Sequence, residues 1–543
     1  MEKEKTDGHV PVLIVGAGSA GLSLSLLLLQ QGIQTILIEK RKDISWVPRA
    51  RNLNFRTFEV FRGLKLKAEV DAVAGANISQ VIFQEHLNDN STRKIVDPNK
   101  LIEHSESSSP DPLARYCPQS RLEPVLRDAD IQRGGDVRYD TEFISFTQDG
   151  NCVTSTLKER STGKIYVIHS DYLVAADGAH SDIREALGIT TTGIGVLSEY
   201  FIFVYFTGSW KKFTEGHESD GFVIKNADVQ GIFLNADKER GMFMIMYRPA
   251  QGESVTDFTH ERCKKMIDMA IGEDAGITII NIAPWQPAEI VADKFQDGRV
   301  FLAGDSAHTM PAYKGLGANT AIQSAQNLAW KIAIVLKKKA SLDLLKTYQT
   351  ERHPVGQFAA EQSLTGPGAD WIPKTDHDVL LPKQKELPLF FPIAGYRYCS
   401  TAIISEDRNA SFKEDITLLE TPDLTGIPGS RVPHLWLEHD GKYISTLDLF
   451  NGQFVLLTGV DGDEWCKAAE AIKLSLGINL SAYRIGKNAE FTDIENKYEE
   501  RMGVSSSGAL LVRPDSFVAW RSKTLSPDPE GILKDVLKKI LNS

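Results

Sequence analysis

The stretch V-P-V-L-I-V-G-A-G-S-A-G-L-S-L-S-L-L-L-L-Q-Q-G-I-Q-T-I-L-I-E, from Val10 to Glu39, decides the fold. Val10 to Val15 is an apolar run of strand length, and the glycine-rich turn Gly16 to Gly21 carries it into a leucine-rich helix ending near Gln30. Gly32 closes that helix, and Thr35 to Ile38 reads as a second strand ending in Glu39. Strand, turn, helix and strand form the βαβ unit of a dinucleotide site. Gly16 makes the tight turn, Gly18 lets a pyrophosphate come close, and Gly21 lets helix pack on strand. Glu39 stands 18 positions beyond Gly21 (39 − 21), where a carboxylate reaches the adenosine ribose hydroxyls. A lone G-x-G-x-x-G is weak; the strands, helix and terminal acid around it favour nucleotide binding over a glycine-rich turn of some other α/β protein.

A second strand-loop-helix follows much later, R-V-F-L-A-G-D-S-A-H-T-M-P-A-Y-K-G-L-G-A-N-T-A-I-Q-S-A-Q-N-L-A-W-K, from Arg299 to Lys331. It reads as a short apolar strand (Val300 to Ala303), an acidic turn (Gly304-Asp305), a glycine-rich loop, and a helix from about Asn319. Gly315, Gly317 and Ala318 let backbone amides approach a ligand. The positive end of the helix suits a ligand that becomes negative during turnover. Asp305, at a strand end, is placed to accept hydrogen bonds from a sugar or ribityl chain. Between the two stretches, the strand Tyr172 to Ala175 is broken by A-A-D-G-A-H-S (Ala175 to Ser181) before a helix containing Arg184. That is ordinary turn chemistry, made informative by its position between the other two motifs.

The intervening segments set the domain organisation. Pro48-Arg49-Ala50-Arg51 is basic and Arg56-Thr57-Phe58-Glu59 opens a helix, either a solvated helix start or guanidinium groups near cofactor phosphates or an anionic cofactor. Asn88 to Pro112, with its Ser/Pro run at Ser105 to Pro110, reads as a loop or an excursion into another domain. Pro118 to Glu123 starts a helix, Val137 to Phe146 is a strand, and Val153 to Ile168 is a hairpin turning at Thr162-Gly163-Lys164. Aromatic and β-branched strands (Tyr200 to Phe206, Gly221 to Ile224, Gly231 to Leu234, Met242 to Tyr247) and a helix (Phe258 to Ile271) predict an inserted antiparallel sheet. Its aromatics and methionines belong mostly to a core, with some lining a pocket. Helices are expected at Thr320 to Leu336 and Ser341 to Gln357, then an irregular Pro/Gly-rich linker (Gly366 to Pro392). The last segment has its own βαβ rhythm: strand Gln453 to Thr458, helix Asp463 to Ser475, and a hairpin Ala509 to Trp520 turning at Pro514-Asp515. The expected division is a nucleotide domain in two parts (1–188, with an excursion near 76–114, and 291–365), a substrate domain (189–290), a linker (366–414) and a C-terminal domain (415–543).

At 543 residues the chain is too long for one core, and 42% hydrophobic with 24% charged residues is a globular composition. A net charge of −11 argues against a nucleic-acid surface. Five scattered cysteines, without C-x-x-C or metal-ligand spacing, point to a reducing compartment and no metal. Leu22 to Leu29 is too short to span a membrane, so a cytoplasmic protein without a membrane partner is expected.

Taken in order, G-A-G-S-A-G with Glu39, A-A-D-G-A-H-S, and A-G-D-S-A-H-T-M-P with G-L-G-A-N-T strongly resemble the single-component flavoprotein aromatic hydroxylases of the para-hydroxybenzoate hydroxylase superfamily. The resemblance covers about the first two thirds of the chain. The tail, P-G-S-R-V-P-H-L-W-L with S-T-L-D-L-F and V-R-P-D-S-F-V-A-W-R, is similar to the thioredoxin-like C-terminal domain of the branch holding phenol hydroxylases and tetracenomycin- and aklavinone-type polyketide hydroxylases. The wording is closer to the polyketide enzymes. The resemblance implies FAD at the N-terminal turn and NADPH or NADH as reductant. It implies oxygen transfer from O2 through a flavin C4a-hydroperoxide to a polycyclic aromatic, polyketide-like substrate, by a monomer or homodimer. It implies cofactor contacts from Gly16, Gly18, Ala20, Gly21, Glu39, Lys40, Arg49, Gln119, Arg121, Asp305, Gly315, Gly317, Ala318 and Asn319. Asp177 would touch both FAD and the reduced nicotinamide, and Pro311 would lie beside the hydroxylation site.

Two departures from the family pattern stand out. Pro311-Ala312 and Tyr313-Lys314 replace Pro-Pro and Gly-Gly, which bears on substrate choice, and Ser324 replaces an aspartate, which reads as a neutral packing change. Tyr205, Tyr247 and His308 are options for a base that generates a phenolate, each with a structural reading in competition. Cys466 is single and mid-helix, so thiol exchange in the C-terminal domain is not expected. A hydroxylase of simple phenols and a non-catalytic aromatic-binding flavoprotein are the alternatives. A flavin-dependent halogenase is disfavoured, because Asp370-Trp371-Ile372-Pro373 matches that family's W-x-W-x-I-P only superficially.

Overall fold

The structure is a computed structural model that describes residues 6–47, 49–75, 80–96, 108–198, 200–217, 220–237, 239–365, 385–406 and 415–542. Pro48, residues 105–107 of the Ser/Pro run, parts of the expected 76–114 excursion, residues 366–384 of the expected linker with the 370–373 sequence, and 407–414 lie outside them.

The first sheet is parallel at its centre. Its strands β1 (Thr6–Val15), β2 (Thr35–Ile38), β3 (Asp136–Arg138), β4 (Ile165–Ala175) and β5 (Val300–Leu302) lie in the order β5-β4-β1-β2-β3. Strands buried on both faces must be apolar throughout, which is why Val12, Leu13, Ile14, Leu37, Leu173 and Val174 are all fully buried. Helices α1 (Ser19–Gln30), α2 (Phe55–Gly63), α3 (Gln119–Gln132), α4 (Gly317–Leu336) and α5 (Asp343–Ser363) complete the domain, with α4 packed on α1 and on α5.

Several boundaries differ from the sequence reading: the first strand starts at Thr6, before Val10, and the helix expected from Ser341 to Gln357 runs from Asp343 to Ser363. The strand expected from Val137 to Phe146 is two, β3 and Thr141–Gln148, because Asp140 turns the chain at φ 56° and the second piece pairs in the hairpin with Val153–Glu159. The hairpin's return strand and the strand expected at Tyr172 are one element, β4, antiparallel to 153–159 and parallel to β1. Helix α4 begins at Gly317, two residues before Asn319. The end of the expected linker is also more regular than its composition suggests: Phe390–Ile393 is a helix, and fully buried Phe390 joins Phe55 and Phe358 in a small core.

The second sheet runs 278–285, 200–207, 241–247, 230–235, 221–225, 81–84, 94–96, antiparallel except where 221–225 meets 81–84. Residues 81–96 therefore reach out of the first sheet's domain into this one. Side chains alternate across it. Ile202, Val204 and Phe206 pack with the helix His260–Ile271, while Phe201, Phe203 and Tyr205 face a cavity.

In the C-terminal region, strands 480–484, 454–458, 509–512 and 518–522 form a sheet in that order. A parallel βαβ through helix Asp463–Leu476 is followed by an antiparallel hairpin and a closing helix, Pro529–Leu541, which is a thioredoxin-like arrangement. This unit shares a core with the nucleotide domain: Trp330 of α4 meets Phe454 edge to face, with ring centroids 5.7 Å apart.

Candidate active site

The three motifs end at one place because β1, β4 and β5 are adjacent and parallel. Backbone hydrogen bonds lash their C-terminal ends together: Gly16 N–H donates to Ile38 O (2.8 Å), Ala176 N–H to Val15 O (2.8 Å) and Ala303 N–H to Ala175 O (2.8 Å). The buried Ser306 hydroxyl donates to Ala175 O at 2.7 Å, and Arg184 joins Ser306 O to Ala179 O at 3.0 Å each. Ligands of open α/β sheets bind at this edge. A cavity of 2210 Å³ opens there and runs to the second sheet.

At one end of the cavity, the glycine turn separates into packing and open positions. A Cβ on Gly16 (φ 106°) would lie 2.2 Å from Ala176 O, and one on Gly21 2.0 Å from Gly16 O, so both are excluded by the protein itself. A Cβ on Gly18 meets nothing nearer than Glu123 Oε1 at 3.7 Å. Gly18 is thus the residue whose space is left for a ligand, at the N-terminus of α1, where the first-turn amides lack intrahelical partners. Ala20 lines the same wall.

Buried Glu39 accepts from Ala17 N–H (3.1 Å) and from the backbone and Nε of Arg41 (2.9 Å each). Burial alone would raise its pKa, but these donors outweigh it and hold the carboxyl below its usual range. It is a fixed carboxylate. Exposed Lys40 lies beside it on the cavity wall. Gln119 also lines the cavity and donates from Nε2 to Glu123 Oε1 at 2.5 Å; Ser19 Oγ donates to the same oxygen at 3.2 Å. Burial raises the pKa of Glu123. Arg121 is off the cavity wall, its guanidinium over the Tyr116 ring at 5.6 Å, with that of Arg51 at 5.1 Å from the same ring.

Further along stand two strand-end acids. Asp305 is exposed and lines the cavity; the protein around it raises its pKa, and the charge of Arg49 on the same cavity lowers it again in part. Asp177 also has a raised pKa, through burial. Its Oδ2 receives a long bond from Ile183 N–H (3.4 Å), and its buried Oδ1 has no hydrogen-bond partner. That is an acceptor awaiting a donor.

The loop after Pro311 turns at Gly315 (φ 63°) into α4, whose first intrahelical bond is Thr320 N–H to Leu316 O at 2.8 Å. The amides of Gly317, Ala318 and Asn319 therefore precede the helical ladder, beside the cavity. Asn319 does not offer its side chain there. Its amide nitrogen donates to Gly315 O (2.7 Å) and Asn52 O (3.0 Å), while its oxygen accepts from Asn54 N–H (2.9 Å) and Thr57 Oγ (2.7 Å). The side chain holds the loop's shape. Lys314 donates to Thr365 Oγ1 (2.8 Å) and pairs with Glu386 (3.0 Å), tying the loop to the segment whose Leu387, Pro388 and Leu389 form another cavity wall.

To the same cavity that Pro311 lines, the second sheet presents Phe203, Tyr205, Met242, Met244 and Trp285. Phe203 and Trp285 stack at 5.4 Å with planes 20° apart, a flat apolar surface. Of the three candidate bases only Tyr205 reaches the cavity, and burial pushes its phenol up to about 12. Tyr247 packs between Tyr200 and Phe258 in the sheet core. His308 is fully buried, and burial pushes its pKa down to about 3, so it is a neutral structural group. Ser324 is more than a packing residue: its hydroxyl accepts from Arg352 Nε at 3.0 Å, and the same guanidinium donates to the Tyr396 and Tyr398 hydroxyls at 3.1 Å each. Burial raises the Cys466 thiol and keeps it protonated.

Sequence reasoning missed Arg41, Glu123 and the bracing role of Arg184. The one available signal was spacing: Glu123 lies four residues after Gln119 on one helical face.

The site's architecture has known counterparts. Residues 9–363 match the family described as FAD binding domain, and residues 425–543 match aromatic-ring hydroxylase, C-terminal. The chain belongs to the FAD-dependent aromatic-ring hydroxylases. This hydroxylase is 36% identical to tetracenomycin B2 monooxygenase-dioxygenase of Streptomyces olivaceus, over 98% of its own chain and 99% of the relative's. It is 35% identical to 4-methyl-5-nitrocatechol 5-monooxygenase of a Burkholderia species, over 98% of each. Its fold matches the crystal structure of aklavinone-11 hydroxylase in ternary complex with FAD and aklavinone, with a TM-score of 0.86, 31% identity and 100% coverage of both chains. It is a flavin-dependent monooxygenase. The open Gly18 position, the unpartnered Asp177 oxygen and the joined strand ends fit the dinucleotide that the family binds.

Proposed function

We propose that this hydroxylase uses NADPH or NADH and O2 to hydroxylate a polycyclic aromatic substrate of the polyketide type. The observation that carries the reading is the unbroken cavity of 2210 Å³ joining the glycine turn to the aromatic wall. A site for one drug-sized ligand occupies about 300–1,000 Å³, so this cavity has room for a dinucleotide and a multi-ring compound together. The similarity to a tetracenomycin and an aklavinone enzyme supports the same class. Similarity to a nitrocatechol monooxygenase supports a second reading, a monocyclic phenol, which leaves most of the aromatic wall unused.

Bound FAD would supply the redox chemistry, by which two electrons from the nicotinamide let O2 give one oxygen atom to the substrate ring and the other to water. The chain does the rest. Gly16, Gly18 and the α1 N-terminus take the pyrophosphate and Glu39 takes the ribose hydroxyls. Asp177 and Asp305 accept hydrogen bonds from the cofactor's polyol region, and Gln119, fixed by Glu123, contacts the flavin. The amides of Gly317 to Asn319 and the α4 dipole would stabilise negative charge on the flavin. Arg49, on the cavity and close enough to act on both Asp305 and Tyr205, offers positive charge to the reductant or to a phenolate. Phe203 and Trp285 hold the substrate flat in the cavity that Pro311 lines, and the apolar wall with Leu387 to Leu389 excludes water. The five free cysteines support a cytoplasmic setting.

The test is ligand binding to the FAD-loaded protein, followed by flavin fluorescence. A tetracyclic hydroxyquinone should bind at least tenfold more tightly than catechol or phenol; equal or inverted affinities would favour the monocyclic reading.

A further inference from the structure

The back of the flavin site carries an unusual concentration of buried charge. Glu351 of α5 is fully buried and accepts from Lys331 Nζ (2.8 Å) and Asn327 Nδ2 (2.7 Å) of α4, and from both Nη atoms of Arg513 (2.6 and 2.8 Å) in the C-terminal hairpin. Arg513 is held in turn by Asp515 at 2.6 and 3.0 Å, and Asn327 donates to Asp515 at 3.1 Å. From α2, Arg56 donates to the Asp515 carbonyl (2.9 Å) and to Gln326 Oε1 of α4 (2.5 Å). One turn of the C-terminal domain, Arg513 to Phe517, thus meets α2, α4 and α5 at once, with Ser516 at φ 67° shaping it.

The starts of α2 and α4 build the cofactor loop. Asn54 and Thr57, at the start of α2, hold Asn319, and Asn319 holds Gly315 at the start of α4. Two helices that share a hydrogen-bonded knot at the cavity are therefore pinned to the same hairpin turn. Hydrophobic packing alone would allow the helices to slide; buried hydrogen-bonded ions have few alternative arrangements and fix register.

We propose that the Arg513–Asp515 turn is a positioning device for the Gly315–Asn319 loop, giving the C-terminal domain a role in cofactor binding although none of its described residues lines the cavity. The inference rests on the assignment of that loop to the flavin. Asp515 and Gln326 are positioning residues acting through α2 and α4.

The experiment is FAD titration of the apoprotein by fluorescence quenching, with the melting temperature of each variant measured alongside. Asp515→Asn removes the charge at nearly constant volume, and Gln326→Leu is a milder break in the α2–α4 link. Ile472→Ala, in the C-terminal core and outside the charge cluster, controls for plain destabilisation. Asn319→Ala tests the loop itself. The expected result is an FAD Kd at least fivefold weaker for Asp515→Asn and Gln326→Leu and at least tenfold weaker for Asn319→Ala. Ile472→Ala should stay within twofold, whatever its loss in Tm. A silent Asp515→Asn and Gln326→Leu beside an affected Asn319→Ala would overturn the positioning role; a silent Asn319→Ala would overturn the loop assignment beneath it. Equal weakening by Ile472→Ala would reduce the effect to stability and also overturn the proposal.

Discussion

At Gly18 the protein leaves open the space a side chain would fill, with no atom nearer than 3.7 Å to a built Cβ. Gly18→Val should therefore still fold, with an apoprotein melting curve close to that of wild type, yet purify without the yellow colour of bound flavin. An absorbance spectrum and a melting curve check both parts. Asp130, on α3, behaves differently. It is fully buried, neither carboxylate oxygen completes a hydrogen bond, and burial pushes its carboxyl up to about 6, with partial relief from the Ser25 hydroxyl and Arg133. A raised carboxyl pKa means the folded state disfavours the charge. The penalty is absent below the unfolded pKa of about 4, grows between pH 4 and 6, and is complete above. Asp130→Asn should stabilise by up to about 3 kcal/mol at pH 8 and by nearly nothing at pH 4, as melting curves at the two pH values will show. None of this was legible in the sequence, where Asp130 looks like any acid in an amphipathic helix. The roles proposed for Gly16, Gly18 and Glu39 were legible because spacing along one βαβ unit fixes where they lie. Glu123 was legible only through its spacing from Gln119, whereas Asn319 and Ser324 depend on partners from elsewhere in the chain, which no local pattern reveals.

Among the elements, the second sheet carries the aromatic wall proposed for the substrate, and its alternation was readable once the strands were recognised. What alternation left open was which face meets the cavity; helix His260–Ile271 decides that by covering Ile202, Val204 and Phe206. Trp285 tests the wall. If the Phe203–Trp285 pair is a stacking surface, Trp285→Ala should raise KM for a polycyclic substrate about tenfold, in line with about 1–3 kcal/mol for aromatic stacking, with kcat within twofold. Steady-state kinetics separate the two parameters. The loop after Pro311 makes a second case. Its Tyr313-Lys314 pair was visible as a departure from the family pattern, but the tie from Lys314 to Thr365 and Glu386 was not, since those partners lie about 50 and 70 residues on. Lys314→Ala should loosen the wall that excludes water and at least double the hydrogen peroxide released per NADPH consumed.

For the whole molecule, composition suggests separate nucleotide, substrate and C-terminal parts, and says least at the joints between them. Phe390–Ile393 is core although its surroundings are rich in proline, because Phe55 and Phe358 supply an apolar site. The C-terminal unit looks independent in sequence, yet Trp330 and Phe454 join its core to α4 and Arg513 enters a charge cluster between α2, α4 and α5. Buried ion networks of this kind are invisible beforehand, since lysine, arginine and glutamate at such positions read as solvated helix faces. Hydroxylation of a polycyclic substrate belongs to this scale too, because it needs the cofactor end, the aromatic wall and the loop held by Lys314 in one cavity. It is tested most directly by NADPH oxidation with purified holoenzyme, presented in turn with polycyclic hydroxyquinones and monocyclic phenols, with hydrogen peroxide followed in the same cuvette. If that is the reaction, a polycyclic compound gives strong stimulation with little peroxide and a product heavier by one oxygen atom. Stimulation confined to monocyclic phenols, or peroxide formed in step with every NADPH consumed for all compounds, would contradict it.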